Sequence, residues 1–264
     1  MTNFVPVTPE SHAKKVWKRV TDYKFAAADT IMPLVGAELS QAVALLPIGF
    51  VKHETAFQLV AIASLKPRQN LCVAPNGNWL GTYIPSVIRA YPFRLLKSGN
   101  SDETILCIDE DSELLSDDLE KGSSFFDDNN QPSEELKNIL KFLSAIESNR
   151  IATQSAVNAI DEAGLIKPWT INLKQDDKIL PVEGLFHVDE EALNELDGEA
   201  FLELRKAGGL NIAYAQLFSM NQLQVLERLG KLQGQILEQQ TANSDASNMS
   251  GFSLADDNGS LVFD

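Results

Sequence analysis

Leu46–Phe50 (LPIGF), Phe57–Leu65 (FQLVAIASL) and Asn70–Phe93 (NLCVAPNGNWLGTYIPSVIRAYPF) carry the strongest fold signals in the chain. The first extends into a short apolar run at 43–51, and the second is itself such a run, 57–65. Both are rich in β-branched and aromatic residues and too short for helices, so they read as two buried strands. The intervening KHETA suits a hairpin loop, and Pro47 argues for an edge position or a bulge. Residues 70–74 read as a third short strand. It is stopped by Pro75-Asn76-Gly77-Asn78, where proline presets φ and Asn-Gly tolerates positive φ. Residues 83–91 suit a short helix with Pro85 in its first turn and Pro92 beyond its end. Residues 92–96 then read as a strand, paired with 104–108.

Outward from this centre the pattern becomes helical. Ser133 precedes Glu134 and Glu135, an N-cap followed by acids near the positive helix end. Leu136, Ile139, Leu140, Leu143, Ile146 and Ile151 follow helical spacing, and Gly164 closes the stretch. Strands are expected at 169–173 and 182–188 around the turn at 176–178. Asp189 caps a following helix, 201–204 continues helical, and Gly208-Gly209 hinges into an amphipathic stretch over 210–232. The fold class expected is α+β: a single mixed domain with a mainly antiparallel sheet and several packed helices. Its expected divisions are an N-terminal arm (1–30), the body (31–238, with an acidic insertion at 109–132) and a flexible C-terminal tail (239–264), the last from its Asn, Ser, Asp and Gly content.

The chain has 264 residues, is 44% hydrophobic and carries a formal charge of −15. The apolar content supplies a core, and the acidic field opposes phosphate backbones and anionic lipid, so nucleic acid is not an expected partner. No run approaches the roughly 18 apolar residues of a membrane span, and the N-terminus has no signal-peptide core. A cytoplasmic location follows as the expectation. Cys72 and Cys107 each sit in an apolar run and read as small buried side chains rather than reactive thiols.

Chemistry is sparse. His12, His53 and His187 are the only histidines. His187 and Asp189 form a His-x-Asp pair, the start of a two-histidine, one-carboxylate iron site, but the second histidine would have to come from a distant segment. They are weak metal candidates; no metal or other cofactor is expected. No nucleophile elbow, phosphate loop or dinucleotide fingerprint occurs. Ser219 lies in a helical pattern with no histidine nearby. Asp127-Asp128-Asn129-Asn130 lacks the ligand spacing of a calcium loop and reads as a turn before a capped helix. The expected binding residues are Trp79, Tyr83, Arg89, Tyr91 and Phe93, where aromatic density surrounds one guanidinium able to hold a carboxylate or a carbonyl.

LPIGF, NLCV, GNW and YIPSVIRAYPF resemble the signature of the SapC family of bacterial proteins, distinct from the transporter permease of that name. So do FFDDNNQPSEEL, GLIKPW, VEGLFHVDEEALNEL and LRKAGGLNIAYAQLFSMNQLQVL, in order, from about Leu34 to Leu229. Two departures stand out: the family's paired arginine is Arg89-Ala90 here, and Cys72 replaces a phenylalanine. The resemblance implies an accessory role, with relatives that look like companions of flavin-dependent halogenase-like proteins and cupin-like hydroxylases. It carries no catalytic residues. The leading expectation is therefore a non-catalytic binding protein for a peptide or protein partner. A metal-dependent oxygenase or its subunit, and a surface-layer or envelope component, stay open as alternatives.

Overall fold

A computed structural model describes residues 3–99, 103–175 and 178–250. In chain order the elements are β1 (Phe4–Pro6), α1 (Pro9–His12), β2 (Val16–Trp17), β3 (Ile31–Pro33), α2 (Leu39–Ala42), β4 (Ile48–His53), β5 (Ala56–Ile62), α3 (Ser86–Arg89), β6 (Phe93–Lys97), β7 (Thr104–Asp109), β8 (Leu115–Ser116) and β9 (Ser123–Ser124). There follow α4 (Glu134–Glu162), β10 (Ile166–Pro168), β11 (Ile171–Gln175), β12 (Lys178–Val182), β13 (Leu185–Val188), α5 (Glu190–Asn194), α6 (Gly198–Lys206), α7 (Gly209–Ser219) and α8 (Leu223–Ser250). The architecture is α+β, and the strand pairs are antiparallel.

The central sheet runs β10-β13-β4-β5-β3. The β4–β5 hairpin is tighter than KHETA suggests: His53 pairs with Ala56, and Glu54 turns the chain at φ 52°. Both faces of β5 are covered. Phe57, Leu59 and Ala61 point into one apolar cluster with Ala156, Val157 and Ile160 of α4. Val60 and Ile62 point into a second with Trp169, Ile171 and Leu226. Two-sided burial is why FQLVAIA reads as an almost continuous apolar run. Three expected strands change. The one at 182–188 is divided at Gly184 (φ 83°): Val182 ends β12, which pairs with β11, and β13 begins at Leu185. Residues 43–46 belong to the turn after α2, because β4 begins only beyond Pro47, which lacks a ladder donor. The expected strand at 70–74 is a turn with one isolated bridge, Val73 to Trp79. Asn70 sets that turn by accepting from Cys72 N through Oδ1 and donating to Ala26 O.

A second sheet, β1-β7-β6, and a small one, β8-β2-β9, bring the chain's beginning into the body. Residues 3–30, read as an arm, supply β1 and β2. Trp17 packs edge-on against Phe93 at 5.2 Å and tilted against Phe125 at 4.7 Å, and His12 lies 5.2 Å from Phe125. The acidic segment is tethered through β8 and β9 on either side of β2, with Phe125 fully buried. Asp127 Oδ1 accepts from Asn129 N and Gln131 N, so this cluster is a turn ahead of α4.

Helix α4 decides the relation between the two larger sheets. Ser133 Oγ accepts from Leu136 N at its start, and Gly164 at φ 70° follows its end, as the sequence suggests. Its first half places Leu136 and Leu143 on the β6–β7 side, while its second half places Ala156, Val157 and Ile160 on the central sheet. A helix of 29 residues spans roughly 43 Å, enough to strap one sheet to the other. The single amphipathic stretch expected at 210–232 is two helices broken at Met220–Gln222. α8 then runs on to Ser250, into the segment read as tail; the remaining residues of that tail lie outside those described. Gln233 Nε2 donates to Asn70 O at 2.9 Å and holds α8 on the turn at 70–73.

His12 has a measurable consequence. Its ring is fully buried, Nδ1 lies 3.3 Å from both Thr8 N and Thr8 O, and Nε2 has no partner. Desolvation holds its pKa below the ordinary 6.5, aided by Lys15 and opposed by the Thr8 hydrogen bond and Glu110. His187 is lowered for the same first reason. A depressed folded pKa means that the unfolded chain binds the proton more readily. Stability is therefore whole above pH 6.5 and falls as pH drops toward the folded values. Urea unfolding at steps from pH 7.5 to 5 should show this loss, and His12→Leu should flatten it. An unchanged slope in that variant would refute the assignment.

Candidate functional site

The crossing of α4 from one sheet to the other leaves a cleft. Its volume is about 300 Å³, and its walls come from every element that meets there. Pro33 of β3, Leu59 of β5, Val87 of α3, Phe93 and Leu95 of β6, and Leu143 and Val157 of α4 supply apolar surface. Gln58, Arg94, Glu147, Arg150 and Gln154 supply the polar part of the lining. The gap falls where the apolar stripe of α4 changes partner, between Leu143 and Val157. Arg150 is held by a two-pronged pair with Glu147, at 2.7 Å for each contact. Gln154 Nε2 donates to Phe57 O at 2.8 Å, and Thr153 Oγ1 accepts from Gly36 N at 2.7 Å. These bonds fix the wall.

Beside the cleft lies a smaller recess of about 180 Å³, lined by Gln41, Tyr83, Arg89, Phe142 and Asn149 among others. The two share Val35, Ser86 and Ile146 as common wall. Under that wall sits Glu38, a buried acid in the otherwise apolar run IMPLVGAEL. Its carboxylate accepts from Val35 N (3.2 Å), Ser86 N (2.6 Å), Ser86 Oγ (2.8 Å) and the Tyr83 hydroxyl. Burial, then the Glu38 carboxylate, push the Tyr83 hydroxyl well above its ordinary 10. The network ties the turn at Gly36–Glu38 to α3, so Glu38 positions the residues that wall both spaces. A lone acid within a long apolar stretch is the signal that could have marked it from sequence.

The five expected binding residues do not form one patch. Phe93 is fully buried and lines the cleft from below. Tyr83 is buried, and its backbone oxygen accepts from the Trp79 indole N–H at 2.9 Å. Trp79 itself packs 5.6 Å from Tyr23. Tyr91 stacks on Phe25 at 3.9 Å and donates to Asp109 Oδ2 at 3.2 Å, lining a second hollow that shares Pro33, Val87, Phe93 and Arg94 with the cleft. Arg89 is exposed at the recess. Its Nε donates to Ile84 O at 2.9 Å, and its guanidinium lies 5.2 Å from the Phe142 ring centre. The structure thus brings Tyr83, Arg89, Tyr91 and Phe93 to the walls of the cleft and of the two spaces that adjoin it, and sends Trp79 elsewhere. Sequence reasoning missed Val87, Leu143 and Val157, which read as ordinary apolar positions.

The metal candidates are apart from this site. Asp189 pairs with Lys167 at 2.8 Å and caps α5 through Ala192 N. His187 lies tilted over Trp169, 5.9 Å between ring centres. Among the described residues no group of three or more His, Cys, Asp or Glu is placed to hold a metal. Both cysteines are buried and unbonded, and desolvation pushes the Cys72 thiol up to about 12, far from a reactive thiolate. Ser219 Oγ accepts from Ile48 N at 2.9 Å and donates to Gln216 O at 2.6 Å, a bridge between α7 and β4. No helix among the described residues is long and apolar enough to cross a membrane.

The fold and cleft together define an antiparallel α+β protein with a long helix strapped over two sheets. The SapC family description matches residues 7–226, most of the chain, and the protein belongs to that family. No curated protein and no solved structure matches it.

Proposed function

We propose that this chain is a non-catalytic accessory protein, acting in the cytoplasm, that binds a peptide segment of a partner protein in the α4 cleft. The observation that carries the reading is the cleft itself: an apolar space of about 300 Å³ at the meeting of five elements, with a few fixed polar groups in its lining. Concave, mainly apolar spaces with sparse oriented polar groups are the usual seats of ligands and of anchoring side chains. The space suits one large apolar side chain. The buried polar groups Glu38, Asn70, Gln216 and Ser219 bond to the backbone of neighbouring elements, the behaviour of groups that hold a scaffold. A companion role beside a halogenase-like or hydroxylase system rests on the family resemblance. The oxygenase reading is disfavoured by Asp189, whose carboxylate is engaged with Lys167.

The test places a photo-crosslinking residue at Leu95, in the cleft lining, and at Glu203, on exposed α6, in the producing cell. The Leu95 position should give one discrete protein adduct and the Glu203 position none. Val87→Phe fills the cleft and should weaken adduct formation about tenfold, as expected for loss of an anchor. Equal adducts at both positions, or an adduct indifferent to Val87→Phe, would overturn the reading.

A further inference from the structure

The recess beside the cleft suggests what the bound segment carries. Arg89 is exposed, and among the described residues it forms no ion pair with a carboxylate. The acid that shares the recess, Glu38, is buried, and its two oxygens are engaged by four donors. Arg89 is nonetheless held in place, by its Nε bond to Ile84 O and by the face of Phe142. A guanidinium bonded through Nε, set over a ring and within hydrogen-bonding reach of the Tyr83 hydroxyl has lost much of its freedom already. It can then bind a planar anion with little further ordering cost. The apolar cleft shares a wall with this recess through Val35, Ser86 and Ile146.

We infer that the peptide segment taken by the cleft bears a carboxylate next to its apolar side chain, and that Arg89 receives that carboxylate while the side chain enters between α3 and α4. The inference rests on the cleft reading above. The chain's own charge of −15 does not forbid it. At physiological salt, charges beyond about 8 Å are largely screened, so at contact the local guanidinium outweighs the distant acids. The opposite choice, a cationic segment, would set a positive charge against Arg89.

The experiment uses two probes of one shape: N-acetyl-phenylalanine, with a carboxylate, and its neutral amide, titrated into the isotope-labelled full chain and followed by NMR. The acid should bind about tenfold tighter than the amide, the margin of a charge-assisted two-pronged bond. Arg89→Gln should bring the acid down to the amide's level. Arg89→Lys, which keeps charge but not the fork, should fall between. Val87→Phe should weaken both probes. Equal binding of acid and amide to the wild type, or a preference surviving in Arg89→Gln, overturns the carboxylate inference and leaves the cleft reading standing. Failure of both probes to shift any cleft resonance overturns both.

Discussion

Glu38→Ala is expected to cost about 3–5 kcal/mol of folding stability, the range for removing one member of a buried charged network. The substitution leaves Val35 N, Ser86 N, Ser86 Oγ and the Tyr83 hydroxyl without their acceptor. Each orphaned buried group costs about 1–3 kcal/mol. Water entering from the adjoining recess offsets part of that sum, which keeps the total below a simple addition. Glu38→Gln keeps one acceptor oxygen and should lose about 1–2 kcal/mol. Urea unfolding followed by tryptophan fluorescence reads both values. A second signal separates the network from mere packing: with Glu38 gone, the Tyr83 hydroxyl should ionise closer to its ordinary 10, visible in ultraviolet absorbance on alkaline titration. A stability loss below about 1 kcal/mol for the alanine variant would mean that Glu38 does not hold α3 to the turn at Gly36–Glu38. Because α3 carries Val87 and Arg89, the same variant should also loosen the cleft and the recess.

Gln216→Leu should cost about 2–4 kcal/mol, for a reason found in sheet register. β13 and β4 pair at Leu185–Val51 and Phe186–Phe50. Continued by two residues, that register sets Val188 opposite Ile48, but there the amide of Gln216 bridges the two strands. Its Oε1 accepts from Val188 N at 2.9 Å, and its Nε2 donates to Ile48 O at 3.2 Å. A side-chain amide thus serves as one ladder rung, fully buried. Leucine fills a similar space and removes packing loss from the comparison. What remains is the Val188 N–H without an acceptor and Ile48 O with only a long contact from Ser219 Oγ at 3.4 Å, at about 1–3 kcal/mol for each lost bond. Hydrogen exchange localises the effect: the Val188 amide should lose its protection before those of β5. If Val188 stayed protected and stability fell by less than about 1 kcal/mol, the bridging role would be wrong.

Local signals read the elements that depend on neighbours in sequence. Ser133 with Glu134 and Glu135 announced α4, and Asp189 announced α5, because capping bonds span three residues. The β4–β5 and β6–β7 pairs were legible from apolar runs separated by turns. Asn70–Ala74 was misread because a single apolar run does not distinguish a strand from a turn held by the Asn70 side chain. The 210–232 stretch was misread as one helix because nothing local marks the break at Met220–Gln222.

The candidate site divides the same way. Arg89 stands out in the sequence because it is one guanidinium among several aromatic residues in a short span. Trp79 and Tyr91 belong to the same span yet turn to other neighbours, since the direction of a loop side chain is set by what packs against it. Val87, Leu143 and Val157 were invisible as cleft residues: a wall and a core position have the same composition. The sequence alone determined the α+β class, the capped helices, the hairpins and the family, all properties of local pattern or of motif order. Only the tertiary structure decided that α4 passes from one sheet to another and leaves a cleft where its apolar stripe changes partner. Cavities arise from the mismatch of surfaces distant in the chain, and no residue carries that mismatch by itself.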